Sequence, residues 1–468
     1  MSQSVDHAYA SPQVSDLGKQ PGDLLRPTSV RFRIIALSMG MSLVLYLDRF
    51  ALAPITTTIC TDLSISKETF GWGNFAFFLA YALLQVPAGA LADRFGARRM
   101  LALYVVAWSL ATIALGFVYG SLSLILLRIV MGAMQAGAYP AAGGYLKRWT
   151  SPTARAKANS LVAAGGRIGA LLAFLTTAWV ALQFQQRLGF EQGWRGALAI
   201  FGCLGLIWAV GFWWYFRDQP AEHRGCNAAE LAVIGSDSPP AVSAPLAVVA
   251  VLSNWNVWIL SLSGFLTNVG WIFLTAWLPT YLLDNYSEQL KALFPGQAGA
   301  AGFKDVLAGM LTAVTACAAI AGGVSGGIAA DFFRRRFGPI WGRRVPGLLA
   351  GGISAVMYVA CHFVSDVRLF MLLTLLIAYT IDFGLGSLWA TYQDIGGRHV
   401  GSVLGFANMW GNLGAALCGW FYGRLADQDN WPLVFTISAI ALFTMSASWL
   451  LVNPTRTLES PVPEPLAK

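Results

Sequence analysis

Apolar residues recur along this chain in long runs, parted by short polar stretches. A helix rises about 1.5 Å per residue, so crossing a hydrocarbon layer of about 30 Å takes ~20 mostly apolar residues. Runs of that kind fall near 34–59, 70–92, 100–120, 122–146, 158–183 and 195–216, and again near 256–283, 305–330, 345–364, 368–392, 400–422 and 432–452. Backbone amides cannot stay unpaired in lipid, so such runs must coil into helices. The pattern predicts an all-α membrane protein with twelve transmembrane helices. Its longest polar connection, Arg217–Ser253, holds Pro220, Pro239, Pro240 and Pro245. That divides the chain into a tail (1–33), a first six-helix half (34–216), a linker (217–254), a second six-helix half (255–452) and a closing tail (453–468).

Charge turns this count into a topology. Only 12% of residues are charged against 56% hydrophobic, about half the charge a soluble domain carries. The net charge of +8 does not point to nucleic acid, because the basic residues sit in short loops between apolar runs. With the N-terminus inside, cytoplasmic segments hold 21 of the 31 Lys and Arg and external loops hold 7. Arg49, Arg128 and Arg167 fall within spans. The positive-inside rule then places both termini in the cytoplasm, in a plasma membrane (the inner membrane of a bacterium). The N-terminal tail lacks the apolar core of a signal peptide. Six scattered cysteines, with no CxxC and no Cys/His cluster, suggest no metal. No nucleophile–base set or phosphate loop appears either, so neither enzyme chemistry nor a cofactor is expected. The expected partners are a lipid bilayer and a small solute, and the expected state is a monomer.

Two related signatures follow the second helix of each half: GALADRFGARR at Gly89–Arg99 and GIAADFFRRRF at Gly327–Phe337. A repeat of this kind suits a transporter with parallel halves and a site between them near the midplane. The first signature resembles the loop 2–3 motif of the major facilitator superfamily, and Arg128-x-x-x-Gly132 resembles that superfamily's fourth-helix motif. YLDRFALAP (Tyr46–Pro54) resembles the first helix of its anion:cation symporters, which carry sugar acids. RIVMGAMQAGAYPA (Arg128–Ala141), TAWLPTYL (Thr275–Leu282) and SLWATYQDIG (Ser387–Gly396) are similar to the same family. The resemblance implies a conformational latch formed by Gly89, Asp93, Arg94 and Arg98. In it the Asp93 carboxylate meets the positive end of the eleventh helix, which begins after Arg398–His399.

Ionisable groups in mid-bilayer cost at least ~2.5–3.5 kcal/mol, so those present usually serve a polar path. Asp48, Arg49, Arg128, Arg167 and Asp382 are of this kind. Helix rise puts Asp48 and Arg128 at one level, about 20 Å from the inner edge, and predicts an Asp48–Arg128 pair. Arg49, on another side of the first helix, is then left free to fork around a carboxylate. Polar stripes lie at helical spacing: Arg128, Gly132, Gln135 and Tyr139; Asn74, Phe78, Tyr81 and Gln85; Asn408 and Asn412; Asn268 and Trp271. Tyr46 and Trp389 are candidate walls. Where the resemblance implies a proton-coupling glutamate, this chain has Gln135, which cannot titrate. Asp382, with no cationic neighbour evident in sequence, is the candidate replacement. The reading is a secondary transporter of a small organic anion, a sugar acid or related monocarboxylate, working by alternating access. A coupling proton is one possibility and sodium another. The alternatives are an uncoupled uniporter or exchanger, or a transporter-like solute sensor.

Overall fold

The structure, a computed structural model, describes residues 26–151, 155–189, 192–235, 248–293, 303–396 and 400–458. Within those residues it is all-helical. The first half holds α1 (Val30–Asp62), α2 (Lys67–Phe95), α3 (Ala97–Leu115), α4 (Ser121–Trp149), α5 (Arg155–Leu188) and α6 (Gly193–Tyr215). The second holds α7 (Trp255–Leu293), α8 (Phe303–Ala330), α9 (Phe332–Phe363), α10 (Val367–Gly396), α11 (Val400–Asp427) and α12 (Trp431–Leu451). Eleven of these are apolar and long enough to cross a membrane. The exception, α11, has the length at 28 residues, but Asn408, Asn412 and several glycines dilute its apolar character. Outward faces carry exposed Leu103, Leu110, Ile207, Val210, Ile440 and Phe443, as lipid contact requires.

The helices overrun the apolar runs: α5 has 34 residues and α7 has 39. Hydropathy marks only the stretch that must lie in hydrocarbon, whereas helical hydrogen bonding continues into the polar ends. The helical run Phe303–Ala360 bends inside α9 at Gly338, whose φ of 74° is one an L side chain rarely takes. Odd-numbered helices run from the end that holds Val30 and Val452, the termini end, to the opposite, distal end.

Small residues set the helix spacing. A Cβ on Gly165 or Gly169 of α5 would fall 2.3 or 2.1 Å from the Met39 or Leu43 carbonyl of α1. One on Gly322 or Gly326 of α8 would fall 2.0 or 2.1 Å from the Tyr379 or Phe383 carbonyl of α10. Both pairs are Gly-x-x-x-Gly, the spacing that lets two helices touch through their backbones. The linker's first part is fixed to the first half. Its short helix Ala228–Ile234 presents the buried Glu230, which accepts from the Ser29 and Arg31 amides at 3.1 and 3.0 Å and pairs with the Arg31 guanidinium at 2.8 Å. The N-terminal tail up to residue 25, linker residues 236–247 and residues 459–468 lie outside the described part.

Candidate functional site

Arg49 and Arg128 reach the centre of the bundle from α1 and α4, and both guanidiniums lie against the Phe77 ring of α2, at 5.3 and 4.3 Å. Arg49 also stacks on Tyr81 at 4.4 Å and Tyr46 at 5.0 Å. Its Nε donates to Gln135 Oε1 at 3.0 Å, and Gln135 Nε2 in turn donates to the Leu45 carbonyl at 3.3 Å. Arg128 Nη2 donates to Asn74 Oδ1 at 2.7 Å. Both arginines are buried, yet Arg49 Nη2 and Arg128 Nε have no hydrogen-bond partner.

The expected Asp48–Arg128 ion pair does not form. Asp48 Oδ2 accepts from Trp108 Nε1 of α3 at 3.1 Å, and Oδ1 has no partner. Equal depth does not make two groups neighbours: successive helix positions turn by about 100°, so Asp48 faces α3 while Arg49 faces α2 and α4. Asp382 is likewise not isolated. It forms an ion pair with Arg167, which joins α10 of the second half to α5 of the first.

The remaining candidates divide into two groups. Tyr46, Tyr81 and Gln135 surround Arg49, and Tyr46 meets Tyr139 edge-on at 6.5 Å while Tyr139 shares a 2.5 Å hydrogen bond with Ser42. Further toward the termini end, Asn408 of α11 donates to Gln85 of α2 at 3.0 Å, and Asn412 bonds the Asn408 carbonyl. Asn268 donates to the Gly264 carbonyl of its own helix at 3.0 Å. Trp389 is half-exposed and meets the Tyr392 ring edge-on at 6.3 Å. Of the latch residues, Gly89 lies against Pro140 of α4, Arg94 over the adjacent Phe95, and Arg98 bonds the Trp213 carbonyl through Nε and Nη2. Arg98's amide donates to Asp218 at 3.0 Å, so those contacts stay within the first half and its linker. The side chain of Asp93, with Arg398 and His399, lies outside the described residues.

Sequence reasoning missed Phe77 as the shared platform, Asn74 as the partner of Arg128, and the Arg167–Asp382 pair. It also missed a π-helical turn in α7 at Phe273–Trp277. Such turns often occur at functional positions. Here Ala276 within the turn and Ile272 just before it line a cavity of ≈ 20 Å³ on the distal side of Arg49 and Arg128. That volume holds about one water molecule. Phe50, Phe70 and Phe78 form apolar parts of its wall.

Beyond it the distal end is shut. The Asp427 carboxylate at the end of α11 accepts from the Lys67 and Glu68 amides that open α2, at 2.7 and 2.6 Å. Lys67 pairs with Asp284 of α7 at 2.6 Å, and Trp420 packs against Trp72 with ring centroids 4.8 Å apart.

A family profile described as Major Facilitator Superfamily matches residues 39–419. This chain belongs to that superfamily. Similar curated proteins include the "Probable sulfoacetate transporter" of Cupriavidus necator, 26% identical over 92% of this chain and 96% of its own length. They also include the "D-galactonate transporter" of Escherichia coli, 26% identical over 93% of this chain and 99% of its own. The "Probable galactarate/D-glucarate transporter" of the same species is 25% identical over 92% and 96%. Among solved structures, an inward-facing, occupied bacterial homologue of the human lysosomal transporter Spinster superposes with TM-score 0.68 at 19% identity. It covers 91% of this chain and 95% of its own. The chain is therefore a multi-pass membrane transporter of the major facilitator fold, and not an enzyme.

Proposed function

We propose that this transporter carries a small organic anion, of the sugar-acid or sulfonated-carboxylate class, across the plasma membrane by alternating access. One observation carries the reading. Two buried arginines lie on one phenyl ring, each with an unsatisfied N–H, and the nearest acidic candidate, Asp48, is turned to Trp108. Burying charge without a counter-charge is costly, and a ligand carboxylate or sulfonate relieves it. Arg49 supplies the fork for that group, Tyr46 and Tyr81 the walls, and Gln135 holds the guanidinium in place. The names of the similar transporters agree with the chemistry. With the distal side sealed, a substrate of several carbons reaches Arg49 from the termini end. With both termini in the cytoplasm, this is the inward-facing state.

A second reading, exchange or uniport, draws on Gln135: the group bonded to Arg49 cannot take a proton. Counterflow in proteoliposomes loaded with galactonate, galactarate or sulfoacetate tests the main proposal. Accumulation of labelled acid against its unlabelled form is the expected result. No exchange of any of the three would reject it. Added pH or sodium gradients separate symport from exchange.

A further inference from the structure

The arginine pair does not use all the charge at the midplane. Arg167 and Asp382 bridge the two halves, with Asp382 2% and Arg167 33% exposed, so the guanidinium keeps an open side. Arg167 leaves α5 next to Gly166, whose α-carbon lies so close to α1 that a Cβ would come within 2.9 Å of the Tyr46 ring. Tyr46 is the ring on which Arg49 stacks, and both Tyr46 and Tyr139 are within electrostatic reach of Arg167. Across the pair, Gly323 of α8 leaves space: a Cβ there would still be 3.7 Å from Arg167 Nη2 and 3.8 Å from Asp382 Oδ2. Two guanidiniums thus adjoin one tyrosine, and one of them holds a carboxylate of the protein itself.

We propose that Arg167 is a second anion subsite, occupied by Asp382 when the transporter is empty. A substrate with two acidic groups places one on Arg49 and the other on Arg167, displacing Asp382, which takes one proton from water onto its Oδ. This rests on the organic-anion reading of Arg49. Charge balance favours it. With both carboxylates ionised, three arginines (Arg49, Arg128, Arg167) and two aspartates (Asp48, Asp382) give the midplane a formal charge of +1. A monoanion neutralises that alone, whereas a dianion needs one proton as well. Asp382 is the group placed to take it. Its facing charged neighbour from α5 is Arg167; α8 offers Gly323, and Ser325, whose hydroxyl donates to the Tyr379 hydroxyl oxygen at 2.9 Å. From α9, Ser354 meets Thr380, and Arg343 is already paired with Asp394. Among the described residues Asp382 pairs with no other cation, so stripped of Arg167 this buried carboxylate neutralises.

Galactarate and galactonate share a carbon chain and hydroxyl configuration and differ in one terminal carboxylate, so they isolate the second charge. Calorimetric titration of the full-length purified protein in two buffers of different ionisation enthalpy counts the protons taken up, with sulfoacetate as a smaller dianion. The expected result is about one proton per dianion and none per galactonate. Arg167→Gln should weaken galactarate or sulfoacetate by about tenfold or more and leave galactonate unchanged. Asp382→Asn should bind the dianions without proton uptake. The double variant Arg167→Gln with Asp382→Asn removes both members of the pair, so neither is left orphaned, which guards against misfolding, and should lose the dianion preference like the single arginine variant. Equal losses for both acids in the arginine variants overturn the proposal. So does dianion binding without proton uptake, or binding of galactonate alone, by the native protein. Failure of every acid to bind overturns the organic-anion reading itself, and this inference with it.

Discussion

Arg49 and Arg128 share Phe77 without sharing a carboxylate, and that arrangement has a measurable consequence. If Asp48 and Arg128 were partners, neutralising both would restore what either change alone removes. The geometry says otherwise, because Asp48 bonds Trp108 and Arg128 bonds Asn74. Asp48→Asn and Arg128→Gln should therefore have additive effects on thermal stability, with a coupling below about 0.5 kcal/mol. A coupling of several times that size in the double variant would restore the pair. Asp48→Asn alone keeps an oxygen for Trp108 and should cost little stability. Sequence showed which residues carry charge at mid-membrane, because such residues stand out in apolar runs. It did not show their partners. Trp108 lies in a mostly apolar stretch and gives no sign that its indole faces Asp48. Asp382 looked isolated because Arg167 is 215 residues away and approaches from the other half.

At the scale of the helix, legibility follows from the solvent. Lipid demands long apolar helices, so the spans were readable as apolar runs, α11 the most weakly because asparagines and glycines dilute it, and the ends were not, since helices outlast the hydrocarbon. The irregularity in α7 at Phe273–Trp277 was invisible because a π turn needs no special residue type. The glycines were legible only as a count, and the structure separates those that set helix spacing from those that do not. Gly322 of α8 abuts the Tyr379 carbonyl, whereas a Cβ on Gly327, little more than a turn further on, meets nothing within 4 Å. Gly322→Leu should force α8 from α10 and cost about 3 kcal/mol or more, seen as a lower melting temperature or loss of the monodisperse protein. Gly327→Ala should match the native protein or gain a few tenths of a kcal/mol, as helix propensity alone dictates. Similar losses at both positions would mean that the close approach is not what holds these helices.

Across the whole molecule, α2 and α11 run antiparallel and form one seam between the halves. At the distal end of this seam Asp427 caps the first turn of α2, where the helix dipole favours a carboxylate. Asp427→Ala should loosen that end and shift the population toward a distal-open state. Spin labels on the α1–α2 and α11–α12 turns should then gain a longer distance component; an unchanged distribution would deny the cap a gating role. The central claim, however, is that the two-arginine centre binds an organic anion through Arg49. Titration calorimetry of native and Arg49→Lys protein with galactonate, galactarate and sulfoacetate tests it most directly. Lysine keeps the charge and loses the forked donor, so at least one acid should bind the native protein and weaken by about tenfold or more in the variant, with its melting temperature little changed. Native affinity retained in Arg49→Lys, or no binding of any of these acids to the native protein, would contradict the account.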